Sequence, residues 1–452
     1  MTSKYFLLSD MLFRFLLLAC VWIGVLPQLS AQPRLPYEAL RSSNRNPAWY
    51  RQSYSIGSPT ADSIDVSTVF RIPYSSIVFK KADAAEAGWS AELTLTFDAM
   101  TATRTPQRPP RRSRSAKPTE PETALGRVVW SRTVVSDTYE RTQSDTTYVE
   151  GTVTVRIPNQ RYRMVPLIEM NDVMSPITSL PAPEPPPSAA FATFVTPESS
   201  RLRLVNFGTN IVFGRQSDLV VGLNSDSTAT VELWSLKGAK DSTLVWSSET
   251  SAAHRVGAFG GFRDSGDGIE ISTEGSGLAL YRFDVTTRNL ENQPHRVMVK
   301  RGDRILHRVD VLPRWFDIPT GLLNLETAID LMRFALSADG LRELRKGSAE
   351  ERERHFNAYW KPRDPTPESA YNELMAVYFQ RIDQAYDSFT TPTRPGFDSP
   401  MGKTWIQYGK PASVDRRFPP EGGTVVVWEY PGRRFIFRAT SGFGDFELVS
   451  PP

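Results

Sequence analysis

Three carboxylates lie close together in the sequence, around the predicted start of a long helix. They are Asp364, Glu368 and Glu373. A glycoside hydrolase needs two carboxyl groups about 5–9 Å apart, so these residues are the candidates for acid and base catalysis. Asp364, however, precedes Pro365, which is typical of a turn or cap, and a helix dipole favours Glu368 in a first turn. We therefore predict structural roles for them rather than catalysis.

Other catalytic and metal-binding patterns are missing from the sequence. It has no Gly-x-Ser-x-Gly elbow, and its single cysteine, Cys20, lies in an N-terminal apolar run. Asp264–Glu270 offers oxygen ligands for Ca²⁺ but departs from the calcium-loop pattern, so we predict a hairpin turn there. The histidines lack the spacing of a zinc site. They are His254, His295, His307 and His355. We expect no metal and no cofactor.

Polar and aromatic residues between positions 359 and 409 are candidates for binding a partner. Trp360 and Trp405, with Trp428 further on, could line a groove for a sugar or a peptide, although such residues more often belong to a core. The candidate binding residues are Trp360, Arg363, Asn372, Glu373, Arg381, Phe397, Trp405 and Tyr408. In the alternative interpretation, the polar members of this set bond the loop 392–400 to the long helix.

The N-terminus has the features of a secretory signal peptide. Phe15–Leu26 is an uncharged apolar run that follows Arg14, and small residues precede the predicted cleavage point after Ala31. The run is shorter than the roughly 20 residues that cross a bilayer. A start at Met11 would give a more compact signal. We therefore expect an exported protein that is periplasmic, associated with the outer membrane or extracellular.

Cys20 offers a second interpretation of the N-terminus. Leu17–Cys20 superficially fits the lipid-attachment box of bacterial lipoproteins, but the apolar run continues past the cysteine. Ordinary cleavage would leave a mature chain without cysteine, whose domains are stable without disulfides. We expect no transmembrane span in the mature chain, with peripheral or lipid-anchored attachment as the alternative to a fully soluble state.

Length and charge limit the classes of protein. A chain of 452 residues allows roughly three domains of about 150 residues. Its formal charge of +3 argues against a nucleic-acid partner. The segment 101–125 is basic and proline-rich and could be an arm for an anionic polymer or surface. No aromatic residue is interleaved to stack on bases, however, and we predict a solvated loop insertion there.

Hydrophobic periodicity predicts two all-β domains followed by an α+β domain. The predicted segments are a signal peptide at 1–31, a leader at 32–65, an Ig-like β-sandwich at 66–179, a Pro-rich linker at 180–190, a second Ig-like sandwich at 191–316, and an α+β domain at 317–452. In the first sandwich, Val66–Ile72 and Ser76–Phe79 are predicted as separate strands. In the last domain, helices precede a small antiparallel sheet.

The last domain contains several clear helix signals. Leu322–Leu336 has apolar residues at helical spacing, and Ser348–Glu351 is a capping box that opens a helix ending at Trp360. The longest helix is predicted from Pro367 to Phe389. Its inward-facing stripe is predicted to be Leu374, Val377, Tyr378, Ile382, Ala385 and Phe389. The predicted strands that follow are Thr404–Tyr408, Thr424–Tyr430, Phe435–Ala439 and Phe446–Val449.

Several motifs occur in a fixed order along this domain. They are Tyr359-Trp360, Arg363-Asp364-Pro365-Thr366-Pro367, Asn372-Glu373, Arg381, a Gly-aromatic loop and Gly402–Pro411. In this order the region resembles the GWxTD-domain family of bacterial exported proteins. Phe70–Tyr74 is similar to the β-rich region that precedes that domain. At the eponymous motif the chain has Gly396-Phe397-Asp398-Ser399-Pro400, so Pro400 replaces the acid. The resemblance implies an envelope or exported protein and no established reaction.

These observations lead to two functional hypotheses. The first is a non-catalytic exported envelope protein that acts as a binding or scaffold module for a protein or polysaccharide. The second is a carboxylate-dependent hydrolase that acts on envelope polymer through the C-terminal domain. The first predicts carboxylates occupied in hydrogen bonds together with exposed apolar surface, and the second predicts convergent carboxylates in a cleft.

Overall fold

The computed structural model describes most of the chain. The described residues are 36–43, 49–57, 61–81, 88–102, 123–175, 190–197, 200–224, 228–237, 241–420, 422–440 and 444–450. The predicted signal peptide, most of segment 101–125 and almost all of the linker lie outside these ranges and stay predictions. The chain divides into two compact units: the β unit, Asn46–Arg314, and the C-terminal unit, Trp315–Pro452 together with Met1–Arg45.

The first half of the β unit consists of two antiparallel sheets around one core. Its strands are β1 (Tyr50–Ile56), β2 (Ser63–Pro73), β3 (Lys80–Lys81), β4 (Trp89–Thr101), β5 (Ala124–Ser136), β6 (Tyr148–Pro158), β7 (Tyr162–Met170) and β8 (Val173–Ser175). One sheet has the order β1-β2-β6, and in the other β4 pairs with β3, β5 and β7. Alternate residues of β4 are buried, as its period-two pattern predicts. They are Ala91, Leu93, Leu95 and Phe97.

The structure corrects two predictions in this half. The predicted leader contains a strand, β1, which pairs with β2 along its length, and Trp49 before it packs in the core against Phe70 and Phe97. The two strands predicted at 66–72 and 76–79 are instead one strand, β2, followed by a single turn of 3-10 helix at Tyr74–Ser76. Pro73 ends the strand because proline cannot donate to the ladder.

The second half of the β unit also has two main sheets around a core. Its strands are β9 (Ala190–Val195), β10 (Leu202–Arg203), β11 (Asn210–Val212), β12 (Ser217–Leu223), β13 (Thr230–Leu236), β14 (Ser242–Glu249), β15 (Arg255–Ala258), β16 (Phe262–Asp264), β17 (Ile269–Ile271), β18 (Ala279–Val285), β19 (His295–Arg301) and β20 (Arg304–Arg314). The sheet orders are β15-β18-β12-β9 and β11-β20-β19-β13-β14, with a small third sheet, β10-β17-β16. All pairs are antiparallel except β11–β20.

A buried arginine joins the two halves of the β unit. Arg71 Nη2 donates a hydrogen bond of 2.6 Å to the carbonyl of Leu204, and its guanidinium lies 4.4 Å from the Phe207 ring centroid. Burial lowers the pKa of Arg71, and the Glu150 carboxylate, 3.4 Å from Nε, opposes that shift. Apolar residues from both halves also form one cluster. They include Tyr54, Val69, Phe191, Val195, Leu202, Leu204, Ile269 and Leu280. Arg71, within the segment Phe70–Tyr74, therefore helps to hold the two halves of the β unit together.

The C-terminal unit consists of helices followed by an antiparallel sheet, as predicted. Its helices are α1 (Tyr37–Ser43), α2 (Leu325–Leu331), α3 (Ala338–Leu344), α4 (Ala349–Trp360), α5 (Glu373–Phe389) and α6 (Pro400–Tyr408). Its strands are β21 (Ser413–Arg417), β22 (Val425–Tyr430), β23 (Arg433–Ala439) and β24 (Phe446–Ser450), paired in that order. The capping box at Ser348 is confirmed, because its side chain accepts from Glu351 N while the Glu351 carboxylate accepts from Ser348 N.

Three predictions in this unit, two helices and one strand, are corrected. The helix predicted at 322–336 is shorter, since 3-10 turns at Thr320–Leu323 and Met332–Phe334 flank α2. Helix α5 begins at Glu373 instead of Pro367, because Asn372 is its N-cap. The strand predicted at 404–408 is the last part of α6, since Ser399 caps a helix with proline at its first position.

The buried face of α5 also differs from the predicted stripe. Leu374 and Val377 are 47% and 41% exposed, whereas Ile382 and Ala385 are buried as predicted. Ala376 and Phe379 complete the buried face. The buried face is therefore shifted from the predicted stripe, since Ala376 and Phe379 take the core positions that were predicted for Leu374 and Val377. Among the helices of the described residues, none has the length and apolar character that crossing a membrane requires.

Candidate functional site

Two of the three candidate carboxylates, Asp364 and Glu373, have the contacts of turn and helix-start residues. Asp364 Oδ1 accepts a hydrogen bond of 2.9 Å from the backbone N of Thr366, which closes a local turn. Glu373, the first residue of α5, accepts a bond of 2.5 Å from the hydroxyl of Thr366. Glu368 is exposed and lies outside α5, contrary to its predicted place in the first turn. Two of the three carboxylates therefore organise the segment that leads into α5.

Asn372 connects the long helix to the helix before it. Its Oδ1 accepts from Met375 N at 2.9 Å, and its Nδ2 donates to the carbonyl of Trp360 at 3.1 Å. Both polar atoms of the buried amide thus satisfy backbone groups, one at the start of α5 and one at the end of α4. The predicted binding residue Asn372 is an N-cap whose second hydrogen bond fixes the path of residues 361–371.

Trp360 belongs to an aromatic core and does not line an open groove. It is 5% exposed and packs against Phe356, Tyr378 and Phe379, with ring centroids 5.5–6.4 Å apart. Its Nε1 has no hydrogen-bond partner among the described residues. Arg363 is exposed, and its guanidinium lies 3.9 Å from the Tyr359 ring centroid. Arg363 Nη1 also donates a hydrogen bond of 2.5 Å to the carbonyl of Tyr359, so this exposed side chain caps the last turn of α4.

The Gly-aromatic loop packs tightly against the long helix. A Cβ on Gly396 would lie 2.0 Å from the carbonyl oxygen of Ala385 on α5, so only glycine fits there. Phe397 is buried and stacks on Tyr386, with ring centroids 5.8 Å apart. Asp398 pairs with Arg333 at 2.8 Å. The loop is thus part of the core of the C-terminal unit.

The residues after Phe397 begin helix α6. Ser399 Oγ donates to the Gly396 carbonyl at 2.6 Å and accepts from Gly402 N at 2.9 Å, which makes it the N-cap. Pro400 occupies the first helical position, where its missing N–H costs nothing. Position 400 therefore lies in the first turn of a helix. An acid there would interact favourably with the helix dipole, and proline suits the same position for a conformational reason.

The remaining candidates hold α6 in place. Arg381 Nη1 donates to the carbonyl of Ile406 at 3.3 Å, near the C-terminal end of α6, where a cation is favourable. Trp405 Nε1 donates to Gln384 Oε1 at 3.0 Å. Tyr408 accepts a bond of 2.8 Å from Arg433 on β23. The polar residues between 359 and 409 thus bond helices, loop and sheet together, in agreement with the structural interpretation of that stretch.

Asp383, a carboxylate on α5 whose side chain is 13% exposed, was not among the predicted site residues. The hydroxyl of Tyr37 on α1 donates to Asp383 Oδ1, and Thr320 N donates to Oδ2 at 3.0 Å. Arg41, one helical turn after Tyr37, lies 3.3 Å from Oδ2. Burial raises the pKa of Asp383, while these donors and Arg41 act in the opposite direction. The only local signal was the amphipathic turn Tyr37–Arg41.

The turns of the β unit have the contacts expected of turns. Asp264 Oδ1 accepts from Gly266 N at 2.9 Å, and its other oxygen pairs with Arg132 on β5. This confirms the hairpin predicted at Asp264–Glu270. The Arg301-Gly302-Asp303 segment joins β19 to β20, with Gly302 at a φ of 56°. Within the described ranges, no three metal-ligating side chains come together.

The most exposed apolar side chains of the C-terminal unit lie on or beside strand β21. Val414 is 58% exposed and Phe418, directly after the strand, is 74% exposed. Every residue of β21 is exposed, whereas β22 and β23 each contain buried residues. This strand was not predicted, because Ser413–Arg417 is mostly polar and contains no run of strand-forming residues.

No protein-family model matches this chain, and a search of curated proteins finds no match either.

Proposed function

We propose that this chain is an exported cell-envelope protein without catalytic activity, related to the GWxTD-domain proteins, whose C-terminal unit binds a protein or polysaccharide partner. The signal-like N-terminal sequence supports export, with cleavage after Ala31 or lipid attachment at Cys20 as the two routes. The two halves of the β unit are proposed to be Ig-like sandwiches that act as spacer or binding modules.

One contrast carries the proposal. Apart from Glu368, the candidate catalytic and binding residues of the 359–409 stretch are occupied in hydrogen bonds and packing, while the neighbouring sheet exposes Val414 and Phe418 at its edge. An enzyme keeps its acid and base directed at a substrate, whereas a binding module presents apolar surface on a rigid scaffold. The contacts of Asp364 and Glu373 give the hydrolase alternative no support.

Export is tested by the mass of the mature protein. The full chain is expressed with its own N-terminus in a bacterial host, fractionated, and its intact mass measured. We expect a protein in the envelope fraction that begins at Gln32 or, for the lipoprotein route, at a lipidated Cys20. An unprocessed full-length chain in the cytoplasm would contradict the export part of the proposal.

Binding and turnover are tested on the same purified protein. It is titrated into separated envelope polysaccharide and envelope protein, while release of reducing ends or new peptide termini is followed. We expect saturable binding without release of products. Product release that Glu373→Gln abolishes, with folding retained, would replace the proposal with the hydrolase. Absence of binding to both fractions would overturn it.

A further inference from the structure

The two edges of the C-terminal sheet differ. The edge strand β24 is packed against α6, whereas β21 pairs with β22 on one side and with no described strand on the other. An unpaired edge presents backbone N–H and C=O groups that can form a ladder with another extended chain. All five residues of β21 are exposed, so the edge is accessible in the described part of the unit.

One face of β21 carries side chains suited to recognition. Val414 lies opposite Trp428, and Arg416 lies opposite Val426, so both are on the same face of the sheet as the buried core residues. Phe418 follows the strand and continues the two-residue spacing. Along this edge, the face that adjoins the core therefore carries an apolar, a cationic and a second apolar side chain: Val414, Arg416 and Phe418.

The charges next to this edge favour an anionic partner. Asp415 pairs with Arg417, and Glu429 pairs with Arg434, so both carboxylates on β21 and β22 are already neutralised. Arg416 makes no ion pair with any described carboxylate. Antiparallel pairing with a second copy of this chain, centred on Arg416, would place the two Arg416 side chains opposite each other, which is unfavourable, although it would also place Asp415 opposite Arg417. An extended segment with a carboxylate at the central position would instead give Arg416 an ion partner.

We propose that β21 binds an extended acidic segment of a partner protein as an added strand. The segment would place an Asp or Glu beside Arg416 and an apolar residue two positions to either side, beside Val414 and Phe418. Backbone hydrogen bonds would supply the affinity and the alternating side chains the specificity. This inference rests on the proposed binding function and specifies the partner's chemistry.

The test uses the purified mature chain and two synthetic peptides. One peptide has the central sequence Val-Thr-Glu-Thr-Val, and the other has Lys in place of Glu. We expect the Glu peptide to bind about tenfold more tightly than the Lys peptide in fluorescence anisotropy. Arg416→Glu should reverse this preference, and Phe418→Ser should weaken binding of the Glu peptide. Arg354→Glu, an equal charge change at an exposed site on α4, should leave it unchanged.

Hydrogen exchange separates strand addition from side-chain contact alone. With the Glu peptide bound, amides of 413–418 should exchange more slowly in the wild type, because an added strand protects the outer N–H groups. Binding without such protection would overturn strand addition. Equal binding of both peptides, or unchanged preference in Arg416→Glu, would overturn the proposed charge recognition.

The same variants distinguish this inference from the proposed function. If the wild type binds envelope protein and both Arg416→Glu and Phe418→Ser bind it equally well, the β21 proposal fails while the binding function stands. If the wild type binds neither envelope fraction, the proposed function itself fails. A concentration-dependent dimer that Phe418→Ser abolishes, without peptide binding, would assign the edge to a second copy and overturn the inference.

Discussion

The hydroxyl of Tyr37 donates a hydrogen bond to the carboxylate of Asp383, which lies 346 positions later in the chain. Through this bond a short helix at the start of the described residues becomes part of the C-terminal unit. The Tyr37 ring also packs edge-on against Phe397, with centroids 5.1 Å apart. The C-terminal unit is therefore built from both ends of the chain, and a fragment that starts at Trp315 lacks part of its core.

Removal of the Tyr37 hydroxyl should destabilise the C-terminal unit. Tyr37→Phe leaves the partly buried Asp383 carboxylate without one donor, and we expect a loss of about 2 kcal/mol in the free energy of unfolding. Urea denaturation followed by tryptophan fluorescence measures it. Tyr386→Phe is the matched control, because that ring also packs on Phe397 while its hydroxyl has no hydrogen bond in the described structure. Equal effects of the two substitutions would contradict the role assigned to the bond.

Contacts of this kind mark the limit of prediction from the sequence. Local signals were sufficient for the capping box at Ser348 and for the alternating strand β4, since each depends on residues only a few positions apart. The pairing of Tyr37 with Asp383 depends on the tertiary fold, which brings together residues 346 positions apart. The sequence around either residue contains no signal that identifies the other. The same holds for β21, whose polar sequence forms a strand because its backbone pairs with that of β22.

The candidate site was predicted in outline but not in its details. The interpretation that the polar residues of 359–409 tie loop and helices together agrees with the contacts of Asn372 and Arg381. The mistaken strand at 404–408 came from alternating aromatic and β-branched residues, which suit a strand as well as the buried side of a helix. The Ser399-Pro400 pair was the signal for the helix, because it combines a preferred N-cap with a preferred first residue.

Stability of the β unit should decrease in mild acid. Burial lowers the pKa of His307 on β20 to about 4 and also lowers the pKa of His295. In the unfolded chain a histidine has a pKa of about 6.5, so the unfolded chain binds the proton more readily than the folded one. The contribution of the neutral histidines to the free energy of unfolding is therefore complete above about pH 6.5 and is lost as the pH falls toward 4.

The measurement is urea denaturation at several pH values between 7 and 4.5. His307→Leu should reduce the pH dependence in this range, with the part due to His295 retained. His355→Leu, at an exposed position on α4, should leave the dependence of the β unit as it is. A wild-type unfolding free energy that rises as the pH falls through this range would contradict the prediction.

Close approach of the loop to α5 makes Gly396 intolerant of a side chain. In Gly396→Ala the new Cβ would meet the Ala385 carbonyl at 2.0 Å, and backbone on both sides must move. We expect a loss of more than about 3 kcal/mol, or failure of the C-terminal unit to fold. Gly340→Ala in α3 is the control, since its Cβ would find nothing nearer than 3.5 Å and alanine favours a helix by about 0.5–1 kcal/mol. Thermal unfolding of both variants tests the contrast, and a mild effect at Gly396 would show that the loop can move away.

An acid in place of Pro400 should leave the stability of the protein almost unchanged. Pro400 is the first residue of α6, a position that suits either the fixed φ of proline or the negative charge of an acid near the helix N-terminus. Pro400→Asp, which gives this position the acid found in the GWxTD motif, should therefore change the free energy of unfolding by less than about 1 kcal/mol. Ser399→Ala removes the N-cap and its bond to the Gly396 carbonyl, and it should cost about 1–2 kcal/mol. Both values come from chemical denaturation of the mature chain. If Pro400→Asp instead conferred hydrolysis of envelope polymer on the protein, the motif acid would be catalytic and its structural interpretation would be wrong.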